Sequence, residues 1–312
     1  MFDTMVAVEP VNLTADARKQ LGEYARHTVF YDSLPADDAE LIERIGDADA
    51  VLVGYTTVID AAVLRATQNL RYVGMCCSLY SEESANVDIA AARKLGITVA
   101  GVRDYGDAGV VEFVIGELAR YLHGFGDAQW RPGEQHEIAS LSCGIIGMGT
   151  TGTLIAEALR FFGASVCYYS RTRKPDLEAR GFSYRPLSEL LENSDAVFTC
   201  LNKGAELLGE REFQLLGRGK IVFNTSIAPG HDADALERWL DAGAEAESAG
   251  GFANAFFCDT EAALGNPVQT ARLLSSPYVH CMQKSSGSTA EAKVRLSEKV
   301  LGNIAAYLAR SE

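Results

Sequence analysis

A chain of 312 residues is too long for one ordinary hydrophobic core, so two domains are expected. Its formal charge of −14 excludes nucleic acid and anionic membrane as partners, and no apolar run approaches the length needed to span a bilayer. The opening MFDTMVAVEP has neither the basic region nor the long apolar core of a signal peptide. The seven cysteines, an odd number, show no metal-ligand spacing, and Cys143, Cys167 and Cys200 sit in strand-like runs. A cytoplasmic chain with buried thiols and no metal site is therefore expected.

The first hundred residues alternate strand and helix signals. Short apolar runs predict strands at Met5–Val8, Thr28–Tyr31, Ala50–Val53, Tyr72–Cys76 and Ile97–Ala100. Helical stretches lie between them at Ala15–Arg26, Asp37–Ile45, Asp60–Ala66 and Asn86–Leu95, the last stopped by Gly96. Such alternation implies a parallel sheet covered on both faces, in a doubly wound domain without a glycine fingerprint of its own. A long helix is predicted over Gly109–His123, apolar at Val110, Val111, Val114, Ile115, Leu118 and Leu122, as the connector into a second domain. Gly124 to Ala139 is a polar crossing anchored by Trp130.

The stretch from Leu141 to Pro175 organises that second domain. Cys143 to Ile146 has the length of a buried strand. Gly147-Met148-Gly149-Thr150-Thr151-Gly152 follows, then an amphipathic helix over Thr153–Phe162, a stop at Gly163 and a strand over Ser165–Tyr169. Strand, glycine turn, helix and strand make the βαβ unit that binds dinucleotides. Gly147 permits the tight turn, Gly149 lets the backbone approach a pyrophosphate, and Gly152 lets helix and strand pack closely. The helix N-terminus offers its free N–H groups to the phosphates.

The end of the second strand bears on the choice of nucleotide. An NAD site keeps an acidic side chain there for the ribose hydroxyls. This chain has Tyr169-Ser170-Arg171-Thr172-Arg173, with no carboxylate to repel a 2′-phosphate and two guanidiniums suited to bind one. NADP is the expected cofactor, with NAD as second choice; ordinary solvated arginines are the competing reading.

Further βα repeats follow. Helix Leu187–Glu192 leads to strand Ala196–Cys200, helix Arg211–Leu216 to strand Ile221–Asn224, and helix Asp232–Ala242 comes next. Ala244 to Pro267, rich in Gly, Ala and Phe, has no clear periodicity. Tyr278–Met282 reads as a last strand and Thr289–Ala309 as a long C-terminal helix. The fold class expected is α/β, with two doubly wound parallel-sheet domains.

Over nearly its whole length the sequence resembles the D-isomer-specific 2-hydroxyacid dehydrogenases. The likeness is carried by the glycine fingerprint, Asn86-Val87-Asp88, Tyr105, Glu112, Asn224-Thr225-Ser226, Leu236 to Gly243, and Pro277 through Gly287-Ser288-Thr289. The resemblance implies a Rossmann-type cofactor domain over 102–289 and a flavodoxin-like substrate domain over 1–101 and 290–312. It also implies an active site in the interdomain cleft and a homodimer. The cofactor-binding residues expected are Gly147, Gly149, Thr150, Thr151, Gly152, Ser170, Arg171, Thr172, Arg173, Asn202 and Thr225.

Departures from the family pattern concern the acid chemistry. Ile227 stands where the family places its substrate-binding arginine, directly after the Asn-Thr-Ser strand end. Gap-free spacing through Pro277–Thr289 puts Lys284 at the position of the family's catalytic histidine. That histidine's acidic partner falls near Phe256, with Asp259 or Glu261 as substitutes only in a rearranged loop. The glycine-rich loop that holds the substrate carboxylate is replaced by Cys77-Ser78-Leu79-Tyr80-Ser81-Glu82-Glu83-Ser84.

Lys284 is accordingly the candidate catalytic group, since an ammonium can polarise a carbonyl or imine and donate a proton; a solvated lysine is the plainer alternative. Arg103 is a second candidate, as a substitute anion binder or as an ion pair with Asp104 or Asp107. Tyr80 and Ser78 offer hydrogen bonds to substrate, or packing in the case of Tyr80. His231 and His280 stand alone and read as structural. Two functions follow. One is an NAD(P)-dependent oxidoreductase that reduces a carbonyl or imine compound by hydride transfer, with Lys284 in place of histidine. The other is a catalytically silent NADP(H)-binding or sensing protein on a dehydrogenase scaffold.

Overall fold

The computed structural model describes residues 1–202 and 204–310. Strand and helix alternate from the start: β1 (Phe2–Ala7), α1 (Ala15–Gln20), β2 (Ala25–Phe30), α2 (Asp38–Ile45), β3 (Ala50–Val53), α3 (Ala61–Ala66), β4 (Tyr72–Ser78), α4 (Ile89–Lys94) and β5 (Thr98–Val102). The long helix α5 (Asp107–His123) follows, then β6 (Ser142–Ile146), α6 (Thr150–Phe161), β7 (Ser165–Tyr169), α7 (Pro175–Ala179) and β8 (Ser183–Tyr184). Next come α8 (Leu187–Glu192), β9 (Ala196–Thr199), α9 (Glu210–Leu216), β10 (Ile221–Asn224) and α10 (Ala233–Ser248). The chain closes with β11 (Ala255–Cys258), α11 (Pro267–Leu274), β12 (Val279–Cys281) and α12 (Ala290–Arg310). It forms two compact units, Met1–Tyr105 with Ser288–Glu312, and Gly106–Gly287.

The first unit carries a five-stranded parallel sheet among its described residues, in the order β2-β1-β3-β4-β5. Parallel neighbours need a crossover, and each helix here starts on a side chain that accepts a backbone N–H: Thr14, Asp37, Asp60 and Asp88. The inner strands are fully buried (Val51, Leu52, Val53 and Tyr72 expose nothing), which is why continuous apolar runs mark them. α12 packs on this sheet through buried Leu296, Val300 and Ile304. Burying each such side chain contributes about 1.5–3 kcal/mol. Polar ties reinforce the packing, with Asn303 Nδ2 donating to Gly101 O at 3.0 Å and Arg295 Nε to Tyr105 O at 2.8 Å.

One helix expectation is corrected here. The predicted helix Ala15–Arg26 stops at Gln20, tightens into a turn over Leu21–Glu23, and becomes β2 at Ala25. β2 is an edge strand whose Arg26 and His27 face solvent, so only its second half was announced, by the strand expected at Thr28–Tyr31.

The second unit holds a seven-stranded parallel sheet among its described residues, in the order β12-β11-β10-β9-β6-β7-β8. Strand order reverses at β6, between β7 and β9. That switch point opens a crevice at the carboxyl ends of the strands. Trp130 is buried in this unit and donates from Nε1 to Gly219 O at 3.0 Å. The unparsed stretch resolves into the last turns of α10, which run on to Ser248, and into β11, whose four residues are all buried. Of the thiols expected to be buried, Cys143 is; Cys167 and Cys200 are half-buried, because each lies at a less covered place on the sheet.

Two histidines are built into the second core. His231 packs against the Phe256 ring at 4.9 Å and His280 stacks on Phe257 at 4.4 Å. Burial holds both imidazoles down to about 4, so the folded protein keeps them neutral. A depressed histidine resists protonation only while folded. Stability is therefore full above the unfolded value near 6.5 and is lost as pH falls toward 4, because the unfolded chain takes up the proton first. For His231, only 2% exposed, the loss reaches about 3 kcal/mol. Urea unfolding at about pH 7 and pH 4.5 measures it, and His231→Leu should flatten part of the dependence. An unchanged pH dependence in that variant rejects the assignment.

Candidate functional site

The glycine turn between β6 and α6 uses each glycine for a different reason. Gly147 has φ +101°, and a side chain there would meet Cys200 O at 2.3 Å. A Cβ on Gly152 would lie 2.1 Å from Gly147 O, so helix and turn touch backbone to backbone. Gly149 differs from both. Its φ of −85° suits any residue, and a Cβ built on it meets nothing within 4 Å. The chain's own packing does not call for glycine at 149, and its bare backbone stands open at the start of α6. Gly149 also caps α6 without a side chain, leaving the first N–H groups of the helix for an anion. Exposed Thr150 sits beside them, while the Thr151 hydroxyl donates to the Asp107 carboxylate.

At the end of β7, Ser170 Oγ donates to Thr172 O at 2.6 Å and shapes the turn. Thr172 is exposed. The two arginines separate in character. Arg173 is held by the Glu178 carboxylate and lies over the Tyr184 ring at 5.1 Å. Arg171 is exposed and, among the described residues, makes no hydrogen bond or ion pair. Its guanidinium is thus uncommitted at the end of β7.

The ends of β9 and β10 are laced together. Asn224 is fully buried, donates from Nδ2 to Ala228 O and Ala263 O, and accepts from Thr199 Oγ1 at 2.7 Å and Ser226 N at 3.2 Å. Thr225 Oγ1 donates to Thr199 O at 2.8 Å, and Leu201 N donates to Ser226 Oγ at 2.8 Å. These bonds fix the backbone before Asn202, which is exposed. Ile227 follows with 61% of its surface exposed, an apolar group at the end of a strand.

Lys284 lies beyond the end of β12. Gln283 before it adopts φ +55°, a conformation that costs free energy for a residue other than glycine. The turn is held by Lys284 N donating to Asp259 O at 2.9 Å. Neither nearby carboxylate serves the lysine side chain. Asp259 Oδ2 accepts from Ser286 N at 2.8 Å and Ser286 Oγ at 2.7 Å, and Glu261 accepts from Gln283 Nε2 at 3.0 Å. Phe256 is fully buried in β11. The exposed Lys284 ammonium has no hydrogen-bond or ion-pair partner among the described residues.

In the first unit Arg103 clamps the loop after β4. Its Nε donates to Leu79 O at 2.6 Å, its Nη2 donates to Tyr80 O at 2.8 Å, and it lies over the Tyr80 ring at 5.5 Å. Carbonyls take the guanidinium, and among the described residues it forms no ion pair with Asp104. Tyr80 is 40% exposed. Ser78 hydrogen-bonds the Tyr105 hydroxyl, whose titration is pushed up by burial. One residue escaped the sequence reading. Glu9, buried, accepts from Gly54 N at 2.7 Å and Thr57 N at 3.3 Å, while Asn86 Nδ2 donates to Gly54 O and Thr57 O. An acid closing an apolar strand, as in MVAVEP, was the available signal.

Known proteins share this construction. The description "D-isomer specific 2-hydroxyacid dehydrogenase, NAD binding domain" matches residues 115–250. A glyoxylate reductase of Korarchaeum cryptofilum is 29% identical over 241 residues, 72% of this chain and 71% of the relative. A hydroxypyruvate reductase of Blautia hydrogenotrophica is 28% identical over 241 residues, 71% of this chain and 72% of the relative. Among solved structures, an acyclic imino acid reductase in complex with NADPH and D-Arg superposes with a TM-score of 0.79 at 20% identity, over 98% of this chain and 97% of that one. The chain is an NAD(P)-dependent oxidoreductase similar to the D-isomer-specific 2-hydroxyacid dehydrogenases, whose NAD-binding domain it matches over residues 115–250.

Proposed function

We propose that the protein is an NADP(H)-dependent reductase of a carbonyl or imine compound, with Lys284 as the group that polarises and protonates the acceptor. The observation that carries this reading is the unpartnered, exposed Lys284 ammonium, held on a strained turn where the family keeps its histidine. Bound nicotinamide supplies the hydride. Lys284 Nζ donates a hydrogen bond to the carbonyl oxygen or imine nitrogen and gives up its proton as negative charge develops there. Gly149 and the N-terminus of α6 receive the pyrophosphate, with Thr150, Thr151, Asn202 and Thr225 around them; Ser170, Arg171, Thr172 and Arg173 receive the ribose phosphate, Arg171 foremost. Arg103 positions Tyr80 for substrate.

Ile227 removes the usual grip on a 2-keto acid carboxylate, which favours an acceptor bound in another way. The imino acid reductase among the structural neighbours, solved with NADPH, supports both the imine and the cofactor. On this reading residues 1–101 with 290–312 are the substrate domain, 102–289 the dinucleotide-binding domain, and the working form is a cytoplasmic homodimer.

The experiment is a fluorescence titration with NADPH and NADH, followed by a panel of carbonyl and imine compounds assayed by NADPH consumption. Turnover of any of them meets the expectation. Tight NADPH binding with no turnover across the panel would instead leave the silent binding or sensing protein.

A further inference from the structure

β11 and β12 lie side by side, and their register pairs Cys258 with Cys281. These are the last residues of both strands, where the ladder ends and β12 is the sheet edge. Register-paired residues of neighbouring parallel strands carry their side chains on the same face, so the two thiols are neighbours. They are unequal. Cys258 is fully buried, whereas Cys281 is half-buried and open to a small reagent. Cys281 closes β12 three residues before Lys284, so the pair sits at the root of the turn that carries the lysine.

We propose that Cys281 and Cys258 are a hydroperoxide-oxidised thiol pair, Cys281 attacking and Cys258 resolving, that reports its redox state to the turn carrying Lys284. In the first step the Cys281 thiolate attacks the hydroperoxide. An S–O bond forms, the O–O bond breaks, and the alcohol or water leaves with a proton from solvent; sulfur is oxidised to a sulfenic acid. In the second step the Cys258 sulfur attacks Cys281. The S–S bond forms, the S–O bond breaks, and hydroxide leaves with the Cys258 proton as water. Two thiols and one hydroperoxide give one disulfide, one alcohol and one water.

The surroundings favour these roles. The Cys258 hydrogen bond, followed by the Gln283 N–H, draws the Cys281 thiol down to about 7, against burial and the nearby Glu261 and Asp259 carboxylates. Cys258 is held in the protonated form by the same contact and by burial. The reagent therefore meets a thiolate at neutral pH, backed by a thiol. A disulfide to Cys258 re-anchors the end of β12, and the strained Gln283 that leads into Lys284 lies only two residues beyond it.

The native chain tests this without any assay of turnover. Iodoacetamide labelling of Cys281, followed by peptide mass, should show a pH midpoint near 7. Hydrogen peroxide should then join the peptides containing Cys258 and Cys281 and leave the other cysteines alkylatable in denaturant. Cys258→Ser should stop the reaction at a Cys281 sulfenic acid captured by dimedone. Amide exchange at Lys284 should change in the oxidised chain. The pair is overturned if peroxide leaves both thiols alkylatable, or joins Cys281 to another cysteine. Unchanged exchange at Lys284 overturns the link to the turn.

Discussion

Lys284→Ala is expected to lower turnover by about 10²–10⁴-fold on a substrate found by the carbonyl and imine panel, the usual worth of a positioned acid or base. The variant is clean because the ammonium is exposed and has no partner among the described residues. Removing it orphans no buried group, so folding and melting should match the native chain. NADPH affinity should barely change, since the candidate phosphate contacts lie at the β6 and β7 ends of the sheet. Lys284→Met keeps much of the stem, loses the charge, and should be nearly as damaged. Restoring histidine alone should not bring 2-keto acid activity, because Ile227 still leaves the substrate carboxylate without an arginine. A Lys284→Ala protein with the native rate would make Lys284 a solvated lysine and move the proton source to Tyr80, another group or water.

Cofactor choice carries the second large effect. NADPH is expected to bind about 10–100-fold more tightly than NADH, the equivalent of one or two charge-assisted hydrogen bonds to the 2′-phosphate. Arg171→Ala should erase most of that difference while leaving NADH binding unchanged. Arg173→Ala should do less, because the Glu178 carboxylate already holds that guanidinium. Ser170→Asp should reverse the order by setting a carboxylate against the 2′-phosphate. Equal affinity of the native protein for both nucleotides, measured by titration, rejects the assignment.

How much of this could be read from sequence depends on how local the cause is. β3, β7 and β10 were legible to the residue (Ala50–Val53, Ser165–Tyr169 and Ile221–Asn224): β3 and β10 are buried on both faces and read as short apolar runs, while β7 is marked by the Gly163 stop before it. The glycine turn was legible because its causes are local: Gly147 needs a positive φ, and Gly152 meets the Gly147 carbonyl five residues back. β2 was legible only in its second half, through the strand expected at Thr28–Tyr31, and β8 not at all; both are exposed edge strands, and β8 is only two residues long. β11 hid behind the small residues that precede it. The wiring around Lys284 was out of reach for a different reason. Asp259 and Ser286 are 27 residues apart, and only the pairing of β11 with β12 brings them together. The same holds for Cys258 and Cys281. Arg103 was legible as a loop-end cation, but its two carbonyl partners depend on where the loop after β4 lies.

The placement of α12 sets an order of assembly during synthesis. β5 ends at Val102, and the helix that covers Phe2, Tyr72 and Leu52 begins only at Ala290. The unit over Gly106–Gly287 is continuous, so a ribosome can deliver all of it before α12 exists. Through that interval the earlier sheet waits with an apolar face bare, a surface that invites chaperones or neighbouring nascent chains. Closing it joins segments separated by the whole later unit, and folding that unit first shortens the span the chain must search. Pulse labelling on stalled ribosomes would see protease resistance arise first over 106–287 and last over the first hundred residues.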